Sequence, residues 1–355
     1  MFKNETHNYP TEIEPFWWAA TCVGWAIRDT QSGRAYTFAA VRVSGAKNPT
    51  EPISATLAWK LSQRAISIWA ALWYSSYGNQ IGLATTRVKE HFHPGYVAKR
   101  FECGYVLAAV KEKNLKRKPP TKGDIVIMLG WKTGNDGWGW AKASSSWSKA
   151  SSKESQSAHI QKWNPVEERK YQRLLLNPKF TQYIKKSNDF WAGWVSVALW
   201  ELSRWIDIDL DIVASHTKYE WLSDEELLLS ESQERMSIVI DPKHYDTVMK
   251  MLEEENIEAF KVAEVTNRKE DQDDRLRVLY KWKNIVNISR SFLDTNGAER
   301  SAKANIHTQK VDFFDTIHWE VQKFIDNWDY LSAIKIQLSL LENASQRWLW
   351  KQFDN

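Results

Sequence analysis

The chain has 355 residues, 43% hydrophobic and 26% charged, a balance that excludes disordered and fibrous classes. Lys and Arg total 48 against 44 acidic residues, and a net charge of +4 is too even to argue for nucleic acid or a membrane surface as partner. Two cysteines, Cys22 and Cys103, exclude a disulfide framework, and no apolar run reaches the roughly eighteen residues of a membrane span. The opening MFKNETHNYP has no apolar signal segment. The expectation is a cytoplasmic chain, neither secreted nor membrane-spanning.

In chain order, a short mixed opening precedes Pro10 and an expected helix from about Thr11 to Arg28. AYTFAAVRVS (35–44) reads as a strand, Lys60 to Tyr77 as a buried helix ending near Gly78, and AKRFECGYVLAAV (98–110) as a second strand. The basic, proline-bearing run KEKNLKRKPPTKGD (111–124) marks a domain boundary. DIVIMLG (124–130) reads as a strand leading into a Gly/Ser-rich loop, 131–155. Asn164 to Asn177 reads as a helix with Asn164 as N-cap and Pro165 in the first position. A further helix is expected over Phe190 to Trp205, strand–helix–strand over 237–266 and a hairpin over 275–289. A polar linker from Asn296 to Lys310 then precedes a helical stretch, 311–344. Alternating strands and helices indicate an α/β or α+β class.

The chain holds 21 Trp and only 14 Gly, where an ordinary glycine share of about 7% implies roughly 25. The surplus indoles stand where turn chemistry is expected, as at Trp138 and Trp140 in TGNDGWGWAKASSS. A Trp-rich core or a carbohydrate-stacking surface is the plainer reading of the same composition.

ETHNYPTEIEPFWWAATCVGWAIRDT (5–30) gathers Glu5, His7 and Asn8 before a helix, with Arg28 and Asp29 at its far end. A carboxylate, an imidazole and a second carboxylate can hold magnesium and move a proton beside an anionic substrate. The alternative is unrelated polar residues around a helix N-terminus. The two cysteines read as small buried residues, and His91 and His93 are too isolated to argue a metal site.

This segment, with YSSYGNQIGLAT (74–85), HPGYVAKR (93–100), QKWNPVEERKYQRL (161–174), SNDFWAGWVSVALWEL (187–202), LSESQERM (229–236), SRSFLDTNGA (289–298) and ASQRWLWKQFDN (344–355), resembles the phosphoribosylformylglycinamidine synthase family over nearly the whole chain. HPGYVAKR and LSESQERM favour this family over relatives that make aminoimidazole ribotide or selenophosphate. The resemblance implies an ATP- and glutamine-dependent carbon–nitrogen ligase of purine biosynthesis. ATP phosphorylates the formamide oxygen of formylglycinamide ribonucleotide, and ammonia from a glutaminase domain or subunit displaces phosphate from the iminophosphate. Magnesium spreads the charge of the transferring phosphoryl group. Nothing in the chain resembles the glutaminase.

By the same resemblance His7 matches the proton acceptor, and Glu5, Asp29 and Asp189 match magnesium ligands. Thr6, Asn8 and Tyr9 align with a substrate-binding loop, in which Tyr9 departs from the family's second histidine. Arg28, Gln161, Glu231, Ser232 and Gln233 align with further substrate contacts; without the family, Asp189 reads as a helix cap and 230–233 as a turn at a strand end. The implied architecture is an aminoimidazole ribotide synthetase-like N-terminal-type domain (1–115, its opening part missing), a linker (116–123), a C-terminal-type domain (124–296), and a linker with the truncated start of a second repeat (297–355). Because the family's site draws on both repeats, the expected isolated fragment has no turnover.

Trp17, Trp18, Trp25, Trp59, Trp73, Trp131, Trp140, Trp163, Trp191, Trp194, Trp200, Trp205, Trp221 and Trp348 fall where the family usually carries glycine, with neighbouring motif residues largely intact. One residue type replaced by one other points to decoding: a gene that reads UGA as glycine, translated as though UGA meant tryptophan. The sequence leaves Trp138, Trp282, Trp319 and Trp350 undecided. Two other readings are a non-catalytic Trp-rich binding module on the same fold, and another ATP-dependent enzyme of the superfamily.

Overall fold

The computed structural model describes residues 1–58, 60–115, 117–137, 160–190, 194–266, 274–294, 301, 303, 305, 319–341 and 343–353. Trp59, Trp138, Trp140 and Trp191, most of the expected Gly/Ser loop and most of the expected polar linker lie outside the described residues.

Two sheets fall on either side of the basic 111–124 run. The first has the order β1-β4-β2-β3, built from β1 (Phe2–Thr6), β2 (Tyr36–Ala46), β3 (Thr85–Phe92) and β4 (Phe101–Ala109). Three helices accompany it: α1 (Asn8–Ile13), α2 (Pro15–Ser32) and α3 (Gln63–Ile81). The expected single helix over 11–28 is two helices. Pro15 lacks an N–H and restrains the residue before it, so the chain breaks at Glu14, whose carboxylate then accepts from the Trp17 amide at 2.7 Å. The expected end of α3 near Gly78 lies one turn too early. The helix runs on to Ile81 and stops at Gly82, whose φ of 72° suits a residue without a Cβ. Small residues of α2 (Ala19, Ala20, Cys22, Val23, Ala26) pack with Tyr74, Tyr77 and Ile81 of α3 over Ala40 and Val106 of the sheet.

The second sheet has seven strands in the order β11-β10-β7-β9-β5-β8-β6. Its strands are β5 (Ile125–Gly130), β6 (Ile184–Asp189), β7 (Ile206–Asp209), β8 (Arg235–Ile240), β9 (Ala259–Glu264), β10 (Arg275–Tyr280) and β11 (Lys283–Ser289). Its helices include α4 (Pro165–Leu176), α5 (Trp194–Trp200) and α6 (Tyr245–Glu254). β5 is buried on both faces, which is why its sequence is a continuous apolar run. Alternate residues serve different cores. Ile125, Ile127 and Leu129 join Tyr171, Leu174 and Leu175 of α4 and Val248 and Leu252 of α6, whereas Val126 and Met128 face Val195, Ala198 and Leu199 of α5. α4 begins as expected, with the Asn164 side chain accepting from Val166 N at 3.2 Å ahead of Pro165.

The expected helix over 190–205 is shorter: α5 stops at Trp200 and the chain enters β7 at Ile206. The expected helical stretch beyond 311 contains helices at Trp319–Asp326 and Tyr330–Ser339. Among the described residues no helix is long and apolar enough to cross a membrane.

Backbone geometry bears on the tryptophans directly. Eight described residues other than glycine have left-handed φ, and four of them are Trp: Trp194 (38°), Trp221 (70°), Trp282 (65°) and Trp328 (62°). A bulky side chain is a genuine outlier there. The remaining suspect indoles that are described have no such φ, so left-handed strain applies to fewer of them than turn chemistry suggests.

Candidate functional site

The two halves meet at Arg28, fully buried on α2. Its Nη1 lies 2.8 Å from Glu168 Oε2 of α4 and 3.3 Å from Glu234 Oε1, and its Nη2 donates to the Gln233 side-chain oxygen. The Tyr77 hydroxyl of α3 is 2.8 Å and 2.9 Å from the same two carboxylate oxygens. Gln233 Nε2 donates to Gln161 Oε1 at 2.9 Å, and Gln161 in turn donates to Glu231. A single polar chain thus joins Arg28, Gln233, Gln161 and Glu231. Ser232 turns the other way, donating to Asp136 Oδ2 at 2.6 Å and accepting from Gly134 N at 2.8 Å. Gly137, at φ +69°, backs this loop, where a Cβ would collide with the Glu231 side chain.

Glu234 organises the junction. It is buried, its φ is 51°, and its Oε2 accepts from Asn164 N at 2.8 Å at the start of α4. Its carbonyl accepts from Trp131 N at 3.0 Å and from the Tyr171 hydroxyl. Burial drives Glu234 up to about 7 against the pull of Arg28, and burial drives Glu231 up to about 8 against its bond from Gln161.

His7 occupies the N-cap position of α1 without a side-chain capping bond, and its backbone N–H donates to Glu102 O at 3.0 Å. Its imidazole lies between two indoles, Trp18 (centroids 5.8 Å apart, stacked) and Trp25 (4.8 Å, edge-on). The ring is buried, its Nδ1 has no hydrogen-bond partner, and burial with the charge of Arg28 lowers it to about 3. Asn8 pins the loop by accepting from Glu102 N at 2.8 Å, while the Tyr9 ring lies under Lys99 Nζ at 4.2 Å. Thr6 ends β1. More suspect indoles crowd nearby: Trp163 lies 5.3 Å from Trp17 and 5.9 Å from Trp73, and Trp25 lies 6.0 Å from Trp194.

Glu5, Asp29 and Asp189 line one cavity of about 180 Å³ together with Lys3. The Lys3 ammonium lies 2.6 Å from Asp29 and 3.5 Å from Glu5. Burial, then the Asp29 charge, pushes Asp189 up. Among the described residues no three carboxylates, imidazoles or thiols converge as a metal-binding set. As arranged, the Lys3 ammonium supplies the positive charge among these three carboxylates.

These carboxyls set a pH dependence. In the folded chain Glu231, Glu234 and Asp189 hold protons above their ordinary range of about 4, so unfolding near neutral pH releases protons. Stability accordingly falls as pH rises from about 5 to about 8, at roughly 1.4 kcal/mol per pH unit for each proton released. Depressed His7 acts oppositely, in the window between its ordinary value of about 6.5 and its folded one, but it is one group against three. Melts at constant ionic strength should give a lower Tm at pH 8 than at pH 5.5; a flat or rising profile contradicts these burials.

Sequence reasoning missed Glu168, Glu234, Tyr77 and Lys3. The first three lie inside motifs quoted above, and the signal was available: an ionisable or phenolic side chain in a segment destined for burial needs a partner.

Residues 121–273 match the AIR synthase related protein, C-terminal domain family. The phosphoribosylformylglycinamidine synthase subunit PurL of Thermus thermophilus is 32% identical over 242 residues, 67% of this chain and 32% of the relative. Two solved structures share the fold. T. maritima PurL complexed with FGAR has a TM-score of 0.70 at 21% identity, covering 89% of this chain and 49% of that one. T. maritima PurL complexed with ATP has a TM-score of 0.67 at 22% identity, covering 92% and 50%. The chain spans less than half the length of the curated relatives it matches, 43% of one that aligns with all of it. With an AIR synthase-related C-terminal domain and PurL homology on both sides of the junction, the chain belongs to the phosphoribosylformylglycinamidine synthase PurL family.

Proposed function

We propose that this chain is part of a phosphoribosylformylglycinamidine synthase, amidating formylglycinamide ribonucleotide with ATP and glutamine-derived ammonia by way of an iminophosphate. The observation that supports it is the buried run Arg28–Gln233–Gln161–Glu231, which gathers residues from three distant segments that the family resemblance aligns with substrate contacts. In this reading Arg28 exchanges its Glu168, Glu234 and Gln233 partners for a phosphate, the Gln161 and Gln233 amides exchange their mutual bond for polar substrate atoms, and His7 moves the protons of the attacking amine. Glu5, Asp29 and Asp189 are the carboxylates that magnesium would use once Lys3 withdrew. A stretch under half the length of its relatives has no turnover alone in this reading, with ammonia delivered by a glutaminase outside it.

The working form carries glycine at the suspect tryptophans. Trp18 and Trp25 wall off His7, and the Trp25, Trp73 and Trp163 indole N–H groups are buried without an acceptor, whereas a genuine buried Trp usually finds one. The indoles that touch one another are buried or half-buried, which disfavours a solvated stacking platform. The test is calorimetric titration of formylglycinamide ribonucleotide onto the chain bearing glycine at 17, 18, 25, 73 and 163, beside the same chain with Arg28→Lys. Binding to the first and at least tenfold weaker binding to the second are expected, since an ammonium cannot reproduce the bidentate fork. No binding to the glycine form overturns the reading, and ATP-dependent phosphate release by the isolated chain overturns its inactivity. Sequencing the gene settles the decoding: UGG at all these positions ends it.

A further inference from the structure

The stretch 344–353 folds back onto the first sheet. Leu349 and Phe353 are buried, and the Phe353 ring lies 5.8 Å from that of Tyr74, in the core that α2 and α3 build over the sheet. β3 is an edge strand, so the N–H and C=O groups on its outer side need partners from outside the sheet. At Glu90 a single side chain supplies both. Gln346 Nε2 donates to Glu90 O at 2.8 Å, and Gln346 Oε1 accepts from Glu90 N at 3.0 Å. A primary amide carries a donor and an acceptor side by side, as a neighbouring strand would. The two residues are 256 apart in the chain.

The Glu90 side chain enters a buried ionic cluster. Its Oε1 accepts from Arg100 Nη2 at 2.8 Å and from Ser44 Oγ at 3.2 Å. Arg100 Nε donates to Glu102 Oε2 at 3.0 Å. Arg42 grips the same carboxylate with two bonds, Nε to Oε1 at 2.7 Å and Nη2 to Oε2 at 2.9 Å. All four charged residues are buried. Burial raises the Glu90 carboxyl, but Arg100 and Arg42 outweigh it and hold the group below its ordinary range. Displacing one member leaves an uncompensated buried charge, so the cluster moves as a unit.

The cluster ends at the candidate site. The main chain of Glu102 brackets the loop after β1: its O accepts from His7 N at 3.0 Å, and its N donates to Asn8 Oδ1 at 2.8 Å. These bonds carry the β1–β4 ladder past its last pair, Thr6 with Cys103. The position of Glu102 therefore sets the positions of His7 and Asn8.

We propose that Gln346 is a positioning residue for the His7–Asn8 loop, acting through Glu90, Arg100 and Glu102. It fixes the open edge of β3, and the ionic cluster transmits that fixed position to the backbone that holds the loop. What the loop does rests on the amidation reading; how the loop is held does not.

Such a chain of contacts needs a direct measurement of coupling. The test is amide hydrogen exchange, followed by NMR at His7 and Glu102, in the 355-residue chain and in its Gln346→Ala, Gln346→Glu and Arg347→Ala variants. Gln346→Glu keeps the side-chain length and loses the donor to Glu90 O. Arg347 is the exposed neighbour and serves as control. Both Gln346 variants should exchange about tenfold or more faster at the two amides, with Ile127 in β5 unchanged and Arg347→Ala like the parent. In the glycine form titrated above, each Gln346 variant should also bind formylglycinamide ribonucleotide about threefold or more weakly. Unchanged exchange at His7 and Glu102, or acceleration that reaches Ile127 equally, overturns the proposal. So does unaltered affinity in a glycine form that binds the ribonucleotide. A glycine form that binds none counts against the amidation reading alone, because the exchange is read without ligand.

Discussion

With glycine at positions 18 and 25, the His7 imidazole should titrate well above its present value of about 3, toward its ordinary value near 6.5. Both indoles face the ring, and burial is the largest cause of the depression. NMR of the histidine ring protons across pH 3–8 reads the shift. The stability outcome separates two views of these residues. Genuine core tryptophans cost about 3–5 kcal/mol each when truncated, so the doubly substituted chain would melt early or lose cooperativity. If glycine belongs there, the chain keeps a cooperative melt. Trp221 sharpens the comparison, because its indole is 94% exposed and its φ is 70°. Trp221→Gly removes about 1–2 kcal/mol of left-handed strain and returns roughly 0.5–1 kcal/mol through the freer unfolded chain, so Tm should rise. Trp69 is the control, in mid-helix on α3 and outside the suspect set. Trp69→Gly should lower Tm by the ordinary helix penalty.

Arg28→Met should destabilise the chain by about 3–5 kcal/mol, the usual effect of removing one partner from a buried ionic cluster. It leaves Glu168 and Glu234 sharing the Tyr77 hydroxyl with no cation between them. Protonation relieves part of that repulsion, and Glu234 already stands at about 7. The loss should therefore be larger at pH 8 than at pH 5.5. Glu234→Gln keeps the shape and removes the charge, so its own effect should be smaller, and the double variant should recover part of the Arg28→Met loss. Urea unfolding at both pH values completes the cycle; additive losses would mean that the two side chains do not share the cluster.

Much of the second half was legible because local chemistry and burial agree there. Asn164 and Pro165 start α4 as their side chains dictate, and the apolar run 125–130, too short for a typical helix, reads as a strand buried on both faces. The elements that escaped detection are those whose sequences carry little apolar alternation. β3, TTRVKEHF, and β6, IKKSND, are edge strands of their sheets and carry charge, while β7 is only four residues long. The overlong helix at 190–205 has another cause. DFWAGWVSVALWELSRW reads as one apolar-periodic stretch only while its tryptophans stand; α5 begins at Trp194 and ends at Trp200. The site shows the same division. Arg28, Gln161, Glu231 and Gln233 were named from motifs and do converge, yet Glu168 and Glu234 were passed over because sequence does not say which charges will share a buried junction.

The strand order of the second sheet has a consequence for how the chain reaches this state. Among the described residues of this sheet, only β10 and β11 pair with a neighbour in sequence; β5 waits for β8 and β9, and β7 waits for β9 and β10. During synthesis β5 emerges more than a hundred residues before Arg235–Ile240 can cover one of its edges. Closing such loops precedes any reward from pairing, so the sheet should assemble slowly. Meanwhile an apolar segment with both edges open is exposed to association with other chains. Strands released more than a hundred residues later, β8 and β9, thus decide whether β5 is safely paired.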